Sequence, residues 1–229
     1  MGPRTFPVSI LRVEYFACTR CGLILTPFMD AWTPDDFKRN IYNSEYVKAD
    51  PPIPGRTNVP LHENPSYLKG KFIASCFEGS QDEIRVLDFG AGGNPGPTGQ
   101  GLIDEGFHVH SYEPYRADAP QPDGRFELIV AVEVLEHCHD FRFVAEFMRK
   151  HLSRDGLVWV QTMIHPHPAP EDILNSWYIA PRNGHISIHT FLSLTMLFNS
   201  IGMNFVQTAM GLFAFRQLPA FPNKIFLRG

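Results

Sequence analysis

The chain has 229 residues, of which 44% are hydrophobic and 19% are charged, and its formal net charge is −4. This length suits one domain with small additions, and the mildly acidic charge argues against a nucleic-acid-binding surface. The sequence contains no run of about 18 apolar residues, so we expect no membrane span, and the N-terminus lacks the long apolar segment of a signal peptide. Four cysteines do not make a disulfide scaffold in a chain this long, so we expect a cytoplasmic protein.

Residues 1–60 are irregular and rich in proline and aromatic residues, and they predict an extension ahead of the main domain. One helix is expected within it, because Thr33 suits the N-cap, Pro34 the first helical position, and Asp35 and Asp36 the first turn. We interpret this helix as lid-like. The stretch KADPPIPGRTNVP that follows predicts an extended linker, since proline fixes φ and lacks a backbone donor.

Strands and helices alternate from about residue 84 onward. A helix precedes them in ENPSYLKGKFIASCFEG, with Asn64 as its N-cap and an apolar face made of Leu68, Phe72 and Cys76. The predicted strands are IRVLDF, HVHSYE, FELIVAVE and LVWVQTM, the predicted helices include PTGQGLIDEG and TFLSLTMLFNSIG, and MNFVQTAMGLFAFRQ predicts two strands. This alternation predicts an α/β fold with a mostly parallel sheet, helices on both faces and a final antiparallel hairpin.

The stretch DFRFVAEFMRKHLSRDG predicts a longer helix that begins after Asp140 and ends at Gly156. Four apolar residues are expected on the face that meets the core, namely Phe143, Val144, Phe147 and Met148. His189 and Thr190 are expected to cap the helix that follows the next strand.

The stretch VLDFGAGGNPG, which contains Asp88, Gly90, Ala91 and Gly92, forms the first strand-to-helix turn. Ligands of open α/β sheets bind beyond the carboxyl ends of the strands. The dinucleotide fingerprint fails because its third glycine falls at Pro95, and no Gly-Lys-Ser/Thr follows as in a phosphate-binding loop. A carboxylate here would repel a pyrophosphate but attract a ligand with an ammonium and a sulfonium, which indicates S-adenosylmethionine.

A second acid, Glu113, ends the second strand and is suited to accept both hydroxyls of an adenosine ribose, as the equivalent acid does in NAD sites. The stretch FELIVAVEVLEH then supplies a buried strand followed by Glu133, Glu136 and His137. We predict that Glu133 lies at the site because it directly follows the strand. A solvated helix start remains the alternative for Glu133 and Glu136.

These motifs together resemble the class I S-adenosylmethionine-dependent methyltransferases, over about residues 84–217. The resemblance implies a Rossmann-like sheet, S-adenosylmethionine as cofactor, and contacts from Asp88, Gly90–Gly92, Glu113 and Glu133. It extends more loosely to a bacterial subgroup with an N-terminal Cys-x-x-Cys-Gly segment, a Tyr-rich helix like YNSEYVKADP and a segment like WYIAPRNGHISIHT. We therefore divide the chain into an extension (1–60), a methyltransferase domain (61–217) and a C-terminal tail (218–229).

The chain departs from this family between Glu113 and Phe126, where the family has a helix, a third strand and another helix. The intervening residues are too few for these elements, so we expect a sheet without strand 3, with strand 2 at its edge. The acid that usually meets the adenine amino group is missing with that strand, and another segment is expected to cover the edge.

Cys18 and Cys21 have the spacing of one half of a zinc site, and structural zinc needs four ligands. His62, or the pair His165 and His167, could complete such a site, but a small β-hairpin with reduced thiols is the favoured interpretation, and we assign no metal. The other two cysteines, Cys76 and Cys138, are expected to be buried core thiols.

The acceptor side is expected in WYIAPRNGHISIHT, which follows the fifth strand of the family. Trp177 and Tyr178 are suited to wall an apolar or sugar-like acceptor, and His185 is the first candidate for a general base. A loop histidine that bonds backbone is the alternative for His185. His137 is the second candidate base, with an ordinary helix residue as its alternative.

The expected reaction is transfer of the S-adenosylmethionine methyl group to a small-molecule acceptor, to which the subgroup resemblance adds a sugar or a secondary-metabolite intermediate. Holding the acceptor in line with the methyl group is mainly a positioning effect. A catalytically silent cofactor-fold module that serves as a binding partner is the alternative, and an NAD-binding oxidoreductase is disfavoured by Asp88 and Pro95. The sequence indicates neither an oligomeric state nor the methylated atom.

Overall fold

The computed structural model of the protein describes residues 3–5, 12–77, 79, 81–114, 116 and 119–219. Its strands are β1 (Pro3–Thr5), β2 (Arg12–Glu14), β3 (Phe16–Ala17), β4 (Ile24–Leu25), β5 (Arg85–Phe89), β6 (His108–Tyr112), β7 (Phe126–Val132), β8 (Leu152–Gln161), β9 (Ser187–Ile188), β10 (Asn204–Thr208) and β11 (Gly211–Phe215). Its α-helices are α1 (Pro34–Asn40), α2 (Tyr46–Ala49), α3 (Pro65–Ala74), α4 (Pro97–Ile103), α5 (Phe141–His151) and α6 (Phe191–Ser200). Residues 220–229, which make up most of the predicted tail, lie outside the described residues.

The main sheet has six strands in the order β10-β11-β8-β7-β5-β6. The strands β8, β7, β5 and β6 are parallel to one another, whereas β11 runs antiparallel to β8 and β10 antiparallel to β11. None of the described residues between Glu113 and Phe126 lies in a strand, and β6 is an edge strand. The predicted parallel sheet, its final hairpin and its missing third strand are therefore confirmed.

The chain after β6 folds back along the exposed edge of that strand. A ring nitrogen of His110, Nε2, lies 3.0 Å from the carbonyl oxygen of Pro120, and the Gln121 side chain donates to the Tyr112 hydroxyl at 3.4 Å. Covering an edge strand in this way blocks pairing with another chain. This short segment takes the place of the missing strand 3.

Helices cover both faces of the sheet, as predicted. On one face, Ile73 of α3 and Leu102 of α4 pack against the strands, and on the other face Met148 of α5 and Phe198 of α6 do so. Burial of these apolar side chains drives the two layers onto the sheet. No helix in the described ranges is long and apolar enough to cross a lipid bilayer.

The predicted apolar face of α3 is wrong. The Asn64 cap is confirmed, because its side chain accepts from the Ser66 N–H, but Leu68 is 50% exposed, Phe72 is also exposed, and Cys76 is buried beyond the end of the helix. The buried side of α3 is marked by Gly70, which has no room for a side chain against α4. The buried face of α3 therefore combines close approach of two helix backbones at Gly70 with the side chain of Ile73.

The predicted end of α5 is wrong as well. Asp140 caps the helix by accepting from the Phe143 N–H at 2.9 Å, as expected, but the helix ends at His151 and Gly156 lies inside β8. A side chain at Gly156 would meet the carbonyl oxygen of Glu127 on β7, so this glycine permits close pairing of strands. Phe143, expected in the core, is 63% exposed.

The N-terminal extension contributes to two small sheets, one of which also contains β9 of the main domain. Strands β3 and β4 make a hairpin, and β4 also pairs antiparallel with β9. The predicted start of α1 is confirmed, since Thr33 and Asp36 form a reciprocal capping box. The predicted linker is wrong in part, because α2 runs into it and a turn follows in which Ile53 and Arg56 pair.

Candidate functional site

A cavity of about 610 Å³ lies at the carboxyl ends of the parallel strands. The chain leaves β5 toward β6 on one side and later returns to β7 on the other side, which makes this a topological switch point where ligands of α/β sheets bind. Five of the predicted site residues line the cavity: Gly90, Gly92, Glu113, Glu133 and His137.

The turn after β5 depends on glycine at two positions. Gly90 has φ +75° and Gly92 has φ +65°, which is the left-handed region that other residues adopt at a cost. A side chain at Gly90 would also meet Val134, with its Cβ only 2.6 Å from Cγ2. The backbone amides of Gly90 and Ala91 both donate to the carbonyl oxygen of Tyr112, at 2.8 and 3.2 Å. The turn is therefore fixed against β6, with Ala91 itself outside the cavity lining.

Asp88 does not face the cavity, which corrects the expectation that it meets the ligand. Its side chain is 2% exposed, and its Oδ2 is buried without a hydrogen-bond partner. Gly99 in α4 lies directly against this oxygen and against the Ser111 hydroxyl. Burial is the main cause that raises the pKa of Asp88 to about 7, Glu113 adds to the shift, and the Gly99 amide opposes it.

Glu113 follows β6 and lies at the cavity wall. Its Oε2 accepts a hydrogen bond from the Gly92 N–H at 3.0 Å. This bond fixes the carboxylate beside the glycine turn. Of the two acids Asp88 and Glu113, therefore, Glu113 lines the cavity and Asp88 does not.

Glu133 has a strained backbone, since its φ of 53° is positive and it is not a glycine. Its N–H donates to the Gln161 carbonyl at 2.8 Å, which holds the sharp turn after β7. Burial in the cavity wall comes first, and the neighbouring Glu136 second, among the causes that raise the pKa of Glu133 to about 8. Residues in such conformations concentrate at functional sites.

Tyr178 is buried and joins the two carboxyl groups of this region. Its hydroxyl lies 2.9 Å from Oε2 of Glu133 and 2.6 Å from Oε1 of Glu136, and it accepts the Met163 N–H at 3.2 Å. Burial raises the pKa of Glu136 and of Tyr178 above their usual values. Tyr178 is 2% exposed and Trp177 is 70% exposed, and neither lines the cavity, so the expected aromatic acceptor wall is not formed by these residues.

His137 and His185 lie side by side, with ring centroids 4.8 Å apart. His137 borders the cavity, whereas His185 is buried behind it. Nδ1 of His185 lies 2.7 Å from the carbonyl oxygen of Tyr178. Burial is the main cause that lowers the pKa of both imidazoles, that of His137 to about 3. The structure therefore brings the two candidate bases together but gives only His137 a place at the cavity.

The opposite wall of the cavity comes from the N-terminal extension, a contribution that sequence reasoning did not assign to particular residues. Lys38 of α1, together with Tyr42, Asn43 and Tyr46, lines it. The Tyr46 hydroxyl donates to Oδ2 of Asp50 at 3.0 Å. The signal available in the sequence was the aromatic spacing in YNSEYV, which follows the predicted lid-like helix.

The Cys-x-x-Cys segment forms the turn of the β3–β4 hairpin, where the Gly22 N–H donates to the Cys18 carbonyl. Cys18 is exposed and Cys21 is buried, and the His167 ring lies against Gly22. Within the described ranges, the one cluster of three potential metal ligands is Glu136, His137 and His185, away from this hairpin.

The structure also shows the positions of the predicted helix cap and of the two other cysteines. Thr190 caps α6 in a capping box, as predicted, while His189 is buried beside it. Cys76 is a buried thiol, but Cys138 is only half-buried and lines the cavity.

The sheet order and the cavity at its switch point define a Rossmann-like class I methyltransferase. Residues 61–208 match the family model described as a methyltransferase domain, and the chain belongs to this family. S-adenosylmethionine is the cofactor that the family uses, and a cavity of about 610 Å³ behind a glycine turn has a size suited to such a ligand. A search of curated proteins found no match to the chain.

Several solved structures share this fold. The 1,6-didemethyltoxoflavin-N1-methyltransferase of Burkholderia thailandensis, solved with 1,6-didemethyltoxoflavin and S-adenosylhomocysteine, is 14% identical over 93% of this chain and 96% of that chain, with a TM-score of 0.53. Phosphoethanolamine N-methyltransferase 2 of Haemonchus contortus, solved with S-adenosylmethionine, is 13% identical over 74% and 44% of the two chains (TM-score 0.52). CalO1, a methyltransferase in calicheamicin biosynthesis solved with S-adenosylhomocysteine, is 15% identical over 84% and 63% (TM-score 0.50). This chain thus spans less than two thirds of the latter two, and the similarity concerns the fold.

Proposed function

We propose that the protein transfers the methyl group of S-adenosylmethionine to a small-molecule acceptor bound in the same cavity. One observation carries the proposal: residues from the ends of three parallel strands, including Gly90, Glu113, Glu133 and His137, line a single cavity. A catalytically silent module is not favoured, since the cavity wall carries polar and titratable groups that a binding fold alone does not need.

On the cofactor side, the turn at Gly90 and Gly92 lets a ligand approach the backbone closely, and the Glu113 carboxylate accepts the ribose hydroxyls. When bound, the cofactor supplies an electrophilic methyl group on its sulfonium. Asp88 and Ala91 hold the turn from beneath, because the first is buried under α4 and the second is tied to β6. Pro114 and Arg116 line the cavity next to Glu113 and border the edge that strand 3 would cover.

On the acceptor side, Tyr42 and Tyr46 take the place in the wall that sequence analysis gave to Trp177 and Tyr178. Their rings lie next to each other, with centroids 5.3 Å apart, and the Tyr42 ring is 6.1 Å from that of His137. Such a wall excludes water and orients an apolar or sugar-like acceptor, which is the main requirement of methyl transfer. His137 is the polar group beside it, and the His185 ring packs against His137 from behind.

The division into an extension (1–60) and a methyltransferase domain (61–217) is part of this proposal, and the family match that begins at residue 61 supports it. We place the protein in the bacterial subgroup with the N-terminal Cys-x-x-Cys-Gly segment and in the cytoplasm. The hairpin that carries Cys18 and Cys21, paired through β4 with β9, supports the subgroup assignment.

The cofactor side is tested by calorimetric titration with S-adenosylmethionine and S-adenosylhomocysteine. Glu113→Ala should weaken binding by about 1.5–3 kcal/mol, the scale of hydrogen bonds to a charged group. Glu171→Ala, at an exposed position, is the matched control and should bind as the wild type does. Equal affinity of the wild type and Glu113→Ala would remove Glu113 from the ribose site.

The acceptor side is tested on whichever compound, from a panel of sugars and hydroxylated aromatic compounds, yields S-adenosylhomocysteine with the wild type. His137→Ala should keep cofactor affinity and lower turnover about a hundredfold, the usual contribution of a group that handles a proton. If the affinity for S-adenosylmethionine falls in parallel with turnover, His137 belongs to the cofactor side instead.

A further inference from the structure

Three side chains have the chemistry and the spacing of metal ligands: His137 at the cavity wall, and Glu136 and His185 buried behind it. Glu136 and His137 lie in a short 3-10 helix after β7, and His185 lies ahead of β9. Each offers one ligand atom, and these atoms all lie within 4.8 Å of one another. Two ligands of one ion at ordinary bond lengths of about 2.0–2.2 Å are at most about 4.4 Å apart, so small shifts of the side chains would let a single ion contact all three.

Two buried polar atoms of this cluster have no hydrogen-bond partner that meets ordinary geometry. Oε2 of Glu136 and Nδ1 of His137 are both buried without a hydrogen-bond partner. Native proteins rarely leave such atoms unsatisfied, because desolvation without a partner is costly. Two unsatisfied polar atoms in one buried cluster therefore indicate a missing ligand.

The surrounding groups also orient these ligands. Because the Tyr178 carbonyl can only accept, Nδ1 of His185 carries the hydrogen in their 2.7 Å contact, and Nε2 of His185 keeps its lone pair. The Tyr178 hydroxyl lies 2.6 Å from Oε1 of Glu136, which leaves Oε2 for the ion. A backbone carbonyl behind a histidine and a hydrogen bond to a carboxylate are the usual outer partners of metal ligands.

We propose that Glu136, His137 and His185 bind a divalent first-row transition-metal ion at the wall of the methyltransferase cavity. Two imidazoles and one carboxylate suit zinc, iron(II) or manganese rather than calcium or magnesium. Three protein ligands leave coordination positions open, which is typical of catalytic rather than structural sites. Since His137 borders the cavity, an ion here faces an acceptor bound in it. That last role rests on the proposed methyl transfer, whereas ion binding itself does not.

The test uses the full chain, freed of metal by dialysis against a chelator and kept without S-adenosylmethionine. Zinc and cobalt(II) are the probes, followed by elemental analysis, calorimetry and the visible spectrum of bound cobalt. The background is the double variant Cys18→Ser/Cys21→Ser, which removes the hairpin thiols as competing ligands. We expect this background to bind one ion per chain, with a cobalt spectrum free of thiolate charge-transfer absorption.

In that background His185→Ala and His137→Ala should each weaken ion binding at least about 10- to 100-fold, the range seen even for lost outer partners. His62→Ala, whose side chain is 78% exposed, is the matched control and should bind normally. Circular dichroism verifies that each variant is folded, and His185→Gln serves where His185→Ala is not.

The proposal is overturned if the cysteine-free protein binds no ion, or if it binds one with an affinity that His137→Ala and the folded His185 variant leave unchanged. Both results are independent of the methyl-transfer proposal, which fails instead if the wild type binds no S-adenosylmethionine.

Discussion

Replacing Asp88 by asparagine should flatten the pH dependence of stability. Asp88 is almost fully buried, and its Oδ2 lies between Gly99 and Ser111 without a hydrogen-bond partner. Mainly through burial, its pKa rises from 3.8 to about 7. Asparagine has nearly the same shape but cannot ionise, so Asp88→Asn removes the titration with little change in packing.

The magnitude follows from the two pKa values. The folded protein holds the Asp88 proton about 3 pKa units more tightly than the unfolded chain, which at 1.36 kcal/mol per unit is about 4 kcal/mol. Because the folded state binds the extra proton, this contribution is fully present below about pH 4 and is lost as the pH rises to about 7. The free energy of unfolding of the wild type should therefore fall by about 4 kcal/mol more than that of the variant across this window.

Urea unfolding at intervals between about pH 4 and pH 8 measures the difference. All other titrating groups are common to both proteins, so their contributions cancel in the comparison. Asp123→Asn, at an exposed position, is the matched control and should follow the wild type. Parallel pH profiles for the wild type and Asp88→Asn would refute the placement of an ionisable carboxyl beneath α4.

Four further substitutions, in two matched pairs, test the site by urea unfolding. Gly90→Ala and Gly92→Ala both force an L side chain into positive φ, which costs about 1–2 kcal/mol. The Cβ added at Gly90 would also meet Val134, whereas the Cβ added at Gly92 has no atom within 4 Å. Gly90→Ala should therefore lose clearly more stability, and equal losses would contradict the contact with Val134. Tyr178→Phe should cost about 1–3 kcal/mol, because it leaves the Met163 N–H and Glu136 without their partner. Trp177→Phe, at the neighbouring and largely exposed position, is the control. If Tyr178→Phe is as stable as this control, the Tyr178 hydroxyl makes no stabilising hydrogen bond.

The sheet could be predicted because each strand is short, apolar and bounded by turn residues. The missing third strand was equally visible, because the segment between Glu113 and Phe126 is too short for a helix, a strand and a second helix. These conclusions depend on local pattern and chain length, which a single sequence contains. Strand order then follows from the resemblance to a known family.

The buried faces of the helices could not be predicted in the same way. Periodicity of apolar residues selected Leu68 and Phe72 on α3, yet the helix meets α4 through Gly70 and leaves Leu68 exposed. A glycine carries no hydrophobic signal, so a pattern search passes over the position where two backbones approach most closely. The predicted end of α5 was wrong for a related reason, because Gly156 lies in β8, where it permits close strand pairing, and does not end the helix.

The sequence also could not predict how deeply each residue of the site is buried. Chain order places Tyr178 and His185 after the fifth strand of the family, but it does not say whether they line the cavity or lie behind it. Contacts between distant segments decide this: the Tyr15 hydroxyl donates to the His185 carbonyl across the N-terminal extension. Long-range contacts of this kind bury Tyr178 and His185. Tyr42 and Tyr46 line the cavity wall instead.

Asp88 and Glu113 show how a charge argument can find the right ligand and misplace one of its contacts. Both acids end neighbouring parallel strands, and like charge at either position disfavours a pyrophosphate. A further glycine, Gly99, lies in α4, however. Because Gly99 has no side chain, the helix packs directly against Asp88. Once covered, Asp88 keeps its proton to about neutral pH, whereas Glu113, held by the Gly92 amide, lies at the cavity wall. The turn thus uses Asp88 as a buried support, and we propose that a ligand meets Glu113 instead.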